Sequence, residues 1–285
     1  MKKKRNQKRR RRGRRHINFR NLFLVLFVGI VIGGGISSIF EPKIVPPEPA
    51  SMQNHTYDWT KLRTDNGQYA YEDDSYRSMY GIDVSDHQKK IDWQRVKQSG
   101  VQFAFIRVGY RGYETGEIHE DAMFRYNIEQ AKKNGILVGA YFFSQATNTE
   151  EAKEEADYMI RHLFGYELDL PVVYDFEETV NGTGRADGQD PKINTDNAIT
   201  FAETVERGGY RPMIYNSASL YQNLFITENL EAYPFWVAHY DTTQPDYPYT
   251  FSVWQYSSTG NVDGIVGDTD LDILFVPKKN LEKAN

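Results

Sequence analysis

The chain has 285 residues, 40% hydrophobic and 26% charged, with no cysteine. That balance fits a globular protein and excludes collagenous, coiled-coil and wholly disordered chains, and the lack of cysteine excludes disulfides, Cys-ligated zinc and thiol catalysis. The net charge of −5 hides an asymmetry: residues 1–20 hold twelve Lys or Arg and no acid, leaving 22 basic against 39 acidic groups, and so acidic a body repels nucleic-acid phosphates.

Residues 22–40, LFLVLFVGIVIGGGISSIF, carry no charge. At ~1.5 Å of rise per residue they match the ~30 Å hydrocarbon layer of a bilayer. Cationic flanks stay inside, so residues 1–20 are expected as a cytoplasmic tail, 21–40 as a single-pass anchor, and the remainder outside the cell. The competing reading is a signal peptide cleaved among the small residues at 33–38, which would release the chain. EPKIVPPEPA follows with four prolines in ten residues, an extended stalk. The linker is drawn over 41–78, with Tyr57, Trp59, Tyr69 and Tyr71 leaving open whether its second half packs on the domain.

From residue 79 the pattern becomes short apolar β-rich runs: GIDVS, FAFIRVG, LVGAYFF, PVVYDFE and RPMIYN, then FWVAHY, FSVWQYS and LDILF. Helical segments follow the first four. Asp92 is placed to cap one that Gly100 ends, and 122–135 and 150–165 show a 3.6-residue period closed by glycine. A fourth helix is expected over 197–207, with a short fifth within 218–223. Strands alternating with helices predict a parallel sheet, and eight strands predict closure. The expected fold is an α/β irregular TIM-like barrel over 79–278, with five β/α units, then three strands bare of helices, and a tail at 279–285. An open doubly wound sheet is the alternative.

In such barrels functional groups gather at the C-terminal ends of the strands. Those ends read Asp83, Arg107, Tyr141, Asp175, Glu177, Tyr215, Trp236, Gln255 and Asp270, an acidic mouth with aromatic and amide groups suited to sugars. Asp175 and Glu177, two apart on one strand, point to the same face with Cα atoms ~6.5–7 Å apart. Two carboxyls in one pocket do not both ionise easily, and the more desolvated keeps its proton. An acid that protonates a leaving oxygen, with a carboxylate beneath the ring, is what glycoside cleavage needs. A pair of surface acids or a divalent-metal site is the plainer reading of D-x-E alone.

GIDVSDHQ with IDWQRVKQSGVQFAFIRVGYRG, then GAYFF, PVVYDFE, RPMIYN, FWVAHY, VWQYS and GDTDLDILF, resembles the family 25 glycoside hydrolases, muramidases of the Chalaropsis type, motif by motif and in order over about residues 80–276. The resemblance implies a barrel of five β/α units followed by three strands. It also implies hydrolysis of the β-1,4 bond between N-acetylmuramic acid and N-acetylglucosamine, with peptidoglycan strands as partner and no cofactor. By motif, Glu177 matches the general acid, Asp175 its partner carboxylate, and Asp83 and Asp270 the other two acids. The route it implies is substrate-assisted and retaining.

Tyr141, Tyr215, Trp236 and Gln255 are candidates to hold the glycan, and Arg107 to pair with a pocket acid. His87 and His239 lack metal-ligand spacing and are expected to be solvent-facing or supporting; no metal site is expected. Tyr110 and Trp254 are expected in the core. Two departures from the family pattern stand out. Residues 179–197 make a long Gly/Asp-rich rim loop, and Asp272 replaces a usual Asn, either shifting the pH optimum or pointing outward. The alternative function is a non-catalytic, membrane-tethered wall-binding module, against which the four retained acids argue. A chitinase signature would need acids at Leu170 and Val173. Nothing specifies an oligomer, and a monomer is favoured.

Overall fold

The computed structural model describes residues 47–49, 51–65 and 67–281. The expected tail and anchor at 1–20 and 21–40 lie outside them. No helix among the described residues is long and apolar enough to cross a membrane.

Eight strands close into a barrel in the order β3 (Tyr76–Val84), β11 (Thr269–Pro277), β10 (Val253–Gly260), β9 (Phe235–Ala238), β8 (Pro212–Ser217), β7 (Val172–Phe176), β6 (Leu137–Ser144) and β4 (Phe103–Arg111), with β4 pairing back on β3. Seven of them run parallel, while β11 is antiparallel to both its neighbours. That reversal corrects the expectation of an all-parallel sheet. Only residues 261–268 separate β10 from β11, too few for the dozen-residue crossover that a parallel neighbour requires. A short β5 (Ile118–Glu120) pairs antiparallel with the end of β4.

The strands obey a period of two, so alternate residues fill the barrel and the others face outward. Phe103, Phe105, Tyr141, Val173, Met213, Tyr215, Trp236, Val253, Leu274 and Val276 form the interior cluster. Gly81 and Gly139 make room for it: a Cβ on either would lie 2.2–2.3 Å from the rings of Phe103 and Phe105.

Helices clothe the outer face of the first half. They are α1 (Trp93–Gln98), α2 (Phe124–Lys133), α3 (Thr149–Leu163) and α4 (Pro191–Arg207), with a single turn, α5 (Tyr221–Leu224), after β8. Asp92 caps α1 through Arg95 N at 3.2 Å, and Asn148 caps α3 through Glu151 N at 3.0 Å. α4 starts six residues before the expected 197. The pair Asp190–Pro191 supplies both an N-cap, accepting from Lys192 N at 2.8 Å, and a first-turn proline, a start signal hidden in a Gly/Asp-rich stretch.

The second half lacks such helices but is not bare. Residues 51–65 and 67–75, expected within a linker over 41–78, fold onto it, and the boundary at 79 falls inside β3. Strands β1 (Leu62–Asp65) and β2 (Gln68–Tyr71) form a hairpin. Tyr57 stacks on Phe275 at 4.3 Å, Trp59 meets Trp254 at 5.7 Å, and Tyr69 stacks on Tyr256 at 4.4 Å. The outward rings of β10 and β11 would otherwise lie in water, and burying each aromatic contributes about 1.5–3 kcal/mol. Of the expected tail, Lys279 belongs to the turn α6 (Lys278–Leu281) and pairs with Glu48 at 2.6 Å; residues 282–285 lie outside the described ones.

Candidate active site

At the end of the barrel where the parallel strands finish lies a cleft lined by all nine residues singled out from the sequence: Asp83, Arg107, Tyr141, Asp175, Glu177, Tyr215, Trp236, Gln255 and Asp270. Asp270 arrives by an unexpected route. It stands at the beginning of β11, not at a C-terminal end, and because β11 runs backwards it lies directly across from Asp83 on β3. Directly paired residues of an antiparallel ladder have Cβ atoms about 4.5–5.5 Å apart, so two carboxyls share one corner.

The opposite flank is built by β7. Asp175 points inward, is buried, and its Oδ1 has no hydrogen-bond partner among the described residues. Glu177 follows just past the strand end, open to solvent at the rim. Its carbonyl accepts from the buried Gln145 Nε2 at 2.9 Å, which fixes the backbone beneath the side chain. The surrounding protein and the Asp270 charge push the Glu177 carboxyl up to about 7. Water reaching the open cleft moderates that shift, and a ligand lying across the rim would remove the water. Burial and the Glu177 charge hold Asp175 well above the usual carboxylate range, while Arg107 pulls it back.

Arg107 is the cation of the cleft. Its guanidinium donates to Asp121 at 2.8 Å and to Asp86 at 2.7 Å, and Asp121 also accepts from Asp86 N at 2.9 Å. So braced, it is a fixed charge. Tyr141 is buried and lines the same cleft, with Asp83, Arg107 and Asp175 as its charged neighbours.

Two of the expected glycan contacts do other work. Gln255 donates from Nε2 to Asp83 at 2.6 Å and accepts at Oε1 from Tyr215 at 2.9 Å and Tyr240 at 2.7 Å. Both ends of its amide are engaged, so it orients Asp83. Trp236 is buried, stacks on Phe105 at 4.7 Å, and gives its indole N–H to Asp272 at 2.9 Å. It is the floor of the cleft. Asp272 points inward and is fully buried beside Asp83, which overturns the outward alternative.

His87 also lines the cleft, with Ser85, Gln88, Phe143 and Tyr240, none of them among the site candidates. Phe143 and Tyr240 carry a legible signal: each stands two residues beyond an inward position, Tyr141 and Ala238. His239 instead accepts from Asp246 N at 2.8 Å, away from the acids. Among the described residues no cluster of three His, Cys, Asp or Glu is arranged to hold a metal ion. Trp254 is core as expected, but Tyr110 is not. It is half-buried, packs under Arg107 at 5.2 Å, and borders a groove that continues the cleft past Glu177 toward Tyr113, Thr179 and Val180. The rim loop between β7 and α4 is knotted to itself. Asp187 accepts from Thr179 N at 2.8 Å and Gly184 N at 2.6 Å, and Arg185 clamps Glu151 at 2.7 and 2.8 Å.

Comparison with known proteins agrees with this geometry. The family model for glycosyl hydrolases family 25 matches residues 82–265. Lysozyme M1 of Streptomyces globisporus is 33% identical over 67% of this chain and 65% of its own length. The lysozyme of Streptomyces coelicolor superposes with a TM-score of 0.59 at 29% identity, covering 73% of this chain and 97% of that one. The modular autolysin LytC of Streptococcus pneumoniae, solved with a synthetic peptidoglycan ligand, gives a TM-score of 0.64 at 25% identity over 74% of this chain. This chain spans about half of LytC, 51% of its length.

Proposed function

The chain belongs to the family 25 glycosyl hydrolases and is a glycosidase of the lysozyme type, and on that premise we propose that it cleaves the β-1,4 bond between N-acetylmuramic acid and N-acetylglucosamine in peptidoglycan. The observation that carries this reading is the division of labour between two carboxyls on one strand. Glu177 stands at the open rim and keeps a proton near neutrality, while Asp175 lies below it with an unpartnered buried oxygen.

In the first step Glu177 gives its proton to the glycosidic oxygen as the bond to the anomeric carbon breaks. The substrate's own N-acetyl oxygen attacks that carbon from the opposite face. Asp175 Oδ1 accepts the acetamido N–H, turning that group for attack and stabilising the positive charge it acquires. Glu177, now ionised, takes a proton from water, and the resulting hydroxide opens the cyclic intermediate with net retention. Asp83 and Asp270 hold the donor sugar, with Tyr141 beside them in the cleft. Aromatic faces at Tyr215 and Tyr240 match the C–H faces of sugars. Nuclear magnetic resonance of the first-formed anomer on a soluble glycan tests the route: retention is expected, and an inverted product overturns it. A stable adduct on Asp175 would replace the N-acetyl group with Asp175 as nucleophile.

We further propose that residues 21–40 anchor the chain with its N-terminus in the cytoplasm and the barrel outside, which fits remodelling of the cell's own wall. The uncharged run behind a dense basic cluster supports this. Membrane fractionation decides it, since full-length chain found wholly in the medium contradicts an anchor.

A further inference from the structure

We propose that Asp272 is a positioning residue: it carries a proton at neutral pH and donates it to Asp83, so that Trp236, Asp272, Asp83 and Gln255 form one hydrogen-bonded chain beneath the mouth. The geometry requires a proton there. Asp272 is fully buried and accepts from the Trp236 indole at 2.9 Å through Oδ1. Its Oδ2 is also buried and has no donor among the described residues. What Asp272 faces is Asp83, whose Oδ2 already accepts from Gln255 Nε2 at 2.6 Å. Two carboxylates against each other in a dry interior leave two acceptors and no donor; a single proton turns the clash into a hydrogen bond.

The surroundings say which partner holds the proton. The groups facing Asp272 are Asp270 on its own strand, Asp83 on β3 and Trp236 on β9, and the Tyr80 and Tyr256 hydroxyls feel its charge from the outer side of β3 and β10. None is a cation. Asp83 lies one layer nearer the mouth, borders the cleft, and has the Gln255 amide to support a charge. Asp272 has no access to water and one weak donor. On this placement of donors the proton resides on Asp272, and Asp83 presents a fixed acceptor edge to the cleft. Burial and the neighbouring Asp270 charge push Asp272 toward the neutral form, while the Trp236 indole and the Asp83 contact pull it back. Burial with the Asp270 and Asp272 charges raises Asp83 as well, so the placement of the donors decides between the two. Gln255, tied to Tyr215 and Tyr240, extends the chain to the opposite wall. Losing the Asp272 proton would set a second negative charge against Asp83 and displace it.

The kinetic part of the test rests on the muramidase reading; the spectroscopic part does not. Infrared difference spectra of the full chain, with and without Asp272→Asn, are expected to show at pH 7 a protonated-carboxyl band that the variant lacks. Asp272→Leu, which removes the donor, is expected to lower kcat by roughly tenfold or more. Asp272→Asn keeps a donor toward Asp83 and an acceptor for Trp236, so it should recover most of that loss. An unchanged infrared band, or an Asp272→Asn variant no more active than Asp272→Leu, overturns the proposal. If no form, the unmutated chain included, cuts peptidoglycan, the muramidase reading fails and the band still locates the proton.

Discussion

The two flanks of the cleft carry the same kind of side chain and treat it differently. On the β7 flank, Arg107, a cation braced by Asp86 and Asp121, pulls the buried Asp175 back toward its ionised form, with Glu177 beyond it at the rim. On the β3–β11 flank, Asp83, Asp270 and Asp272 have only neutral donors, an amide and an indole. A carboxyl beside a fixed cation shares a proton more readily with its surroundings than one buried among acids. The β7 flank is thus suited to proton transfer at the open rim, and the β3–β11 flank to holding a rigid acceptor edge.

Breaking the β7 flank should have the largest effects. Glu177→Gln is expected to cut peptidoglycan turnover by roughly 10²–10⁴-fold, measured by release of soluble fragments, with the thermal melt of a folded protein. An active, folded variant removes Glu177 from the acid role. The same acid sets a pH limit. Because Glu177 must carry a proton and its carboxyl sits at about 7, kcat should fall as pH rises through that value. A profile still climbing at pH 9 would contradict it.

Removing the cation should blur the contrast between the flanks. Arg107→Met leaves the buried Asp121 without its cation, held only by the backbone N–H groups of Asp86 and Met123, and losing one partner of a buried pair costs about 3–5 kcal/mol. It also lets Asp175 keep its proton to higher pH, so the acidic limb of the profile should move toward neutrality in whatever fraction remains folded. A limb that stays in place would show that Arg107 does not tune Asp175.

The smallest expected effect is on stability, at the other flank. Burial and Asp270 hold Asp83 well above its unfolded value. Below about pH 4 both forms keep the proton and no penalty exists. As pH rises the unfolded chain ionises first, so stability drains away until the folded group ionises as well. Asp83→Asn should therefore raise Tm by about a few degrees at pH 8 and by less at pH 5. A lowered Tm at both values would mean that Asp83 is held by more than the contacts described.

Much of this was legible in the sequence because period-two strands expose their inward residues. Reading FWVAHY and VWQYS for strand ends finds Trp236 and Gln255; extending the parity of LVGAYFF and FWVAHY by one step would also have found Phe143 and Tyr240. The same parity places Asp272 inside with Asp270. Two features left weaker marks. The reversal of β11 depends on the length of a connection whose ends the sequence blurs, and Asp270 reaches the mouth only through it. The hairpin at 62–71 has strands of four residues and no long period. Its aromatic residues make sense only against the uncovered rings of β10 and β11, which are distant in sequence.

The most direct test of the whole account is digestion of purified peptidoglycan with the full chain, beside Glu177→Gln, followed by mass analysis of borohydride-reduced products. Reduced muramic acid ends, formed by the unmutated chain and not by the variant, are the predicted result. Reduced glucosamine ends would put the cut at the other linkage. Glycan that is bound but never cut would contradict the catalytic account and leave a wall-binding module.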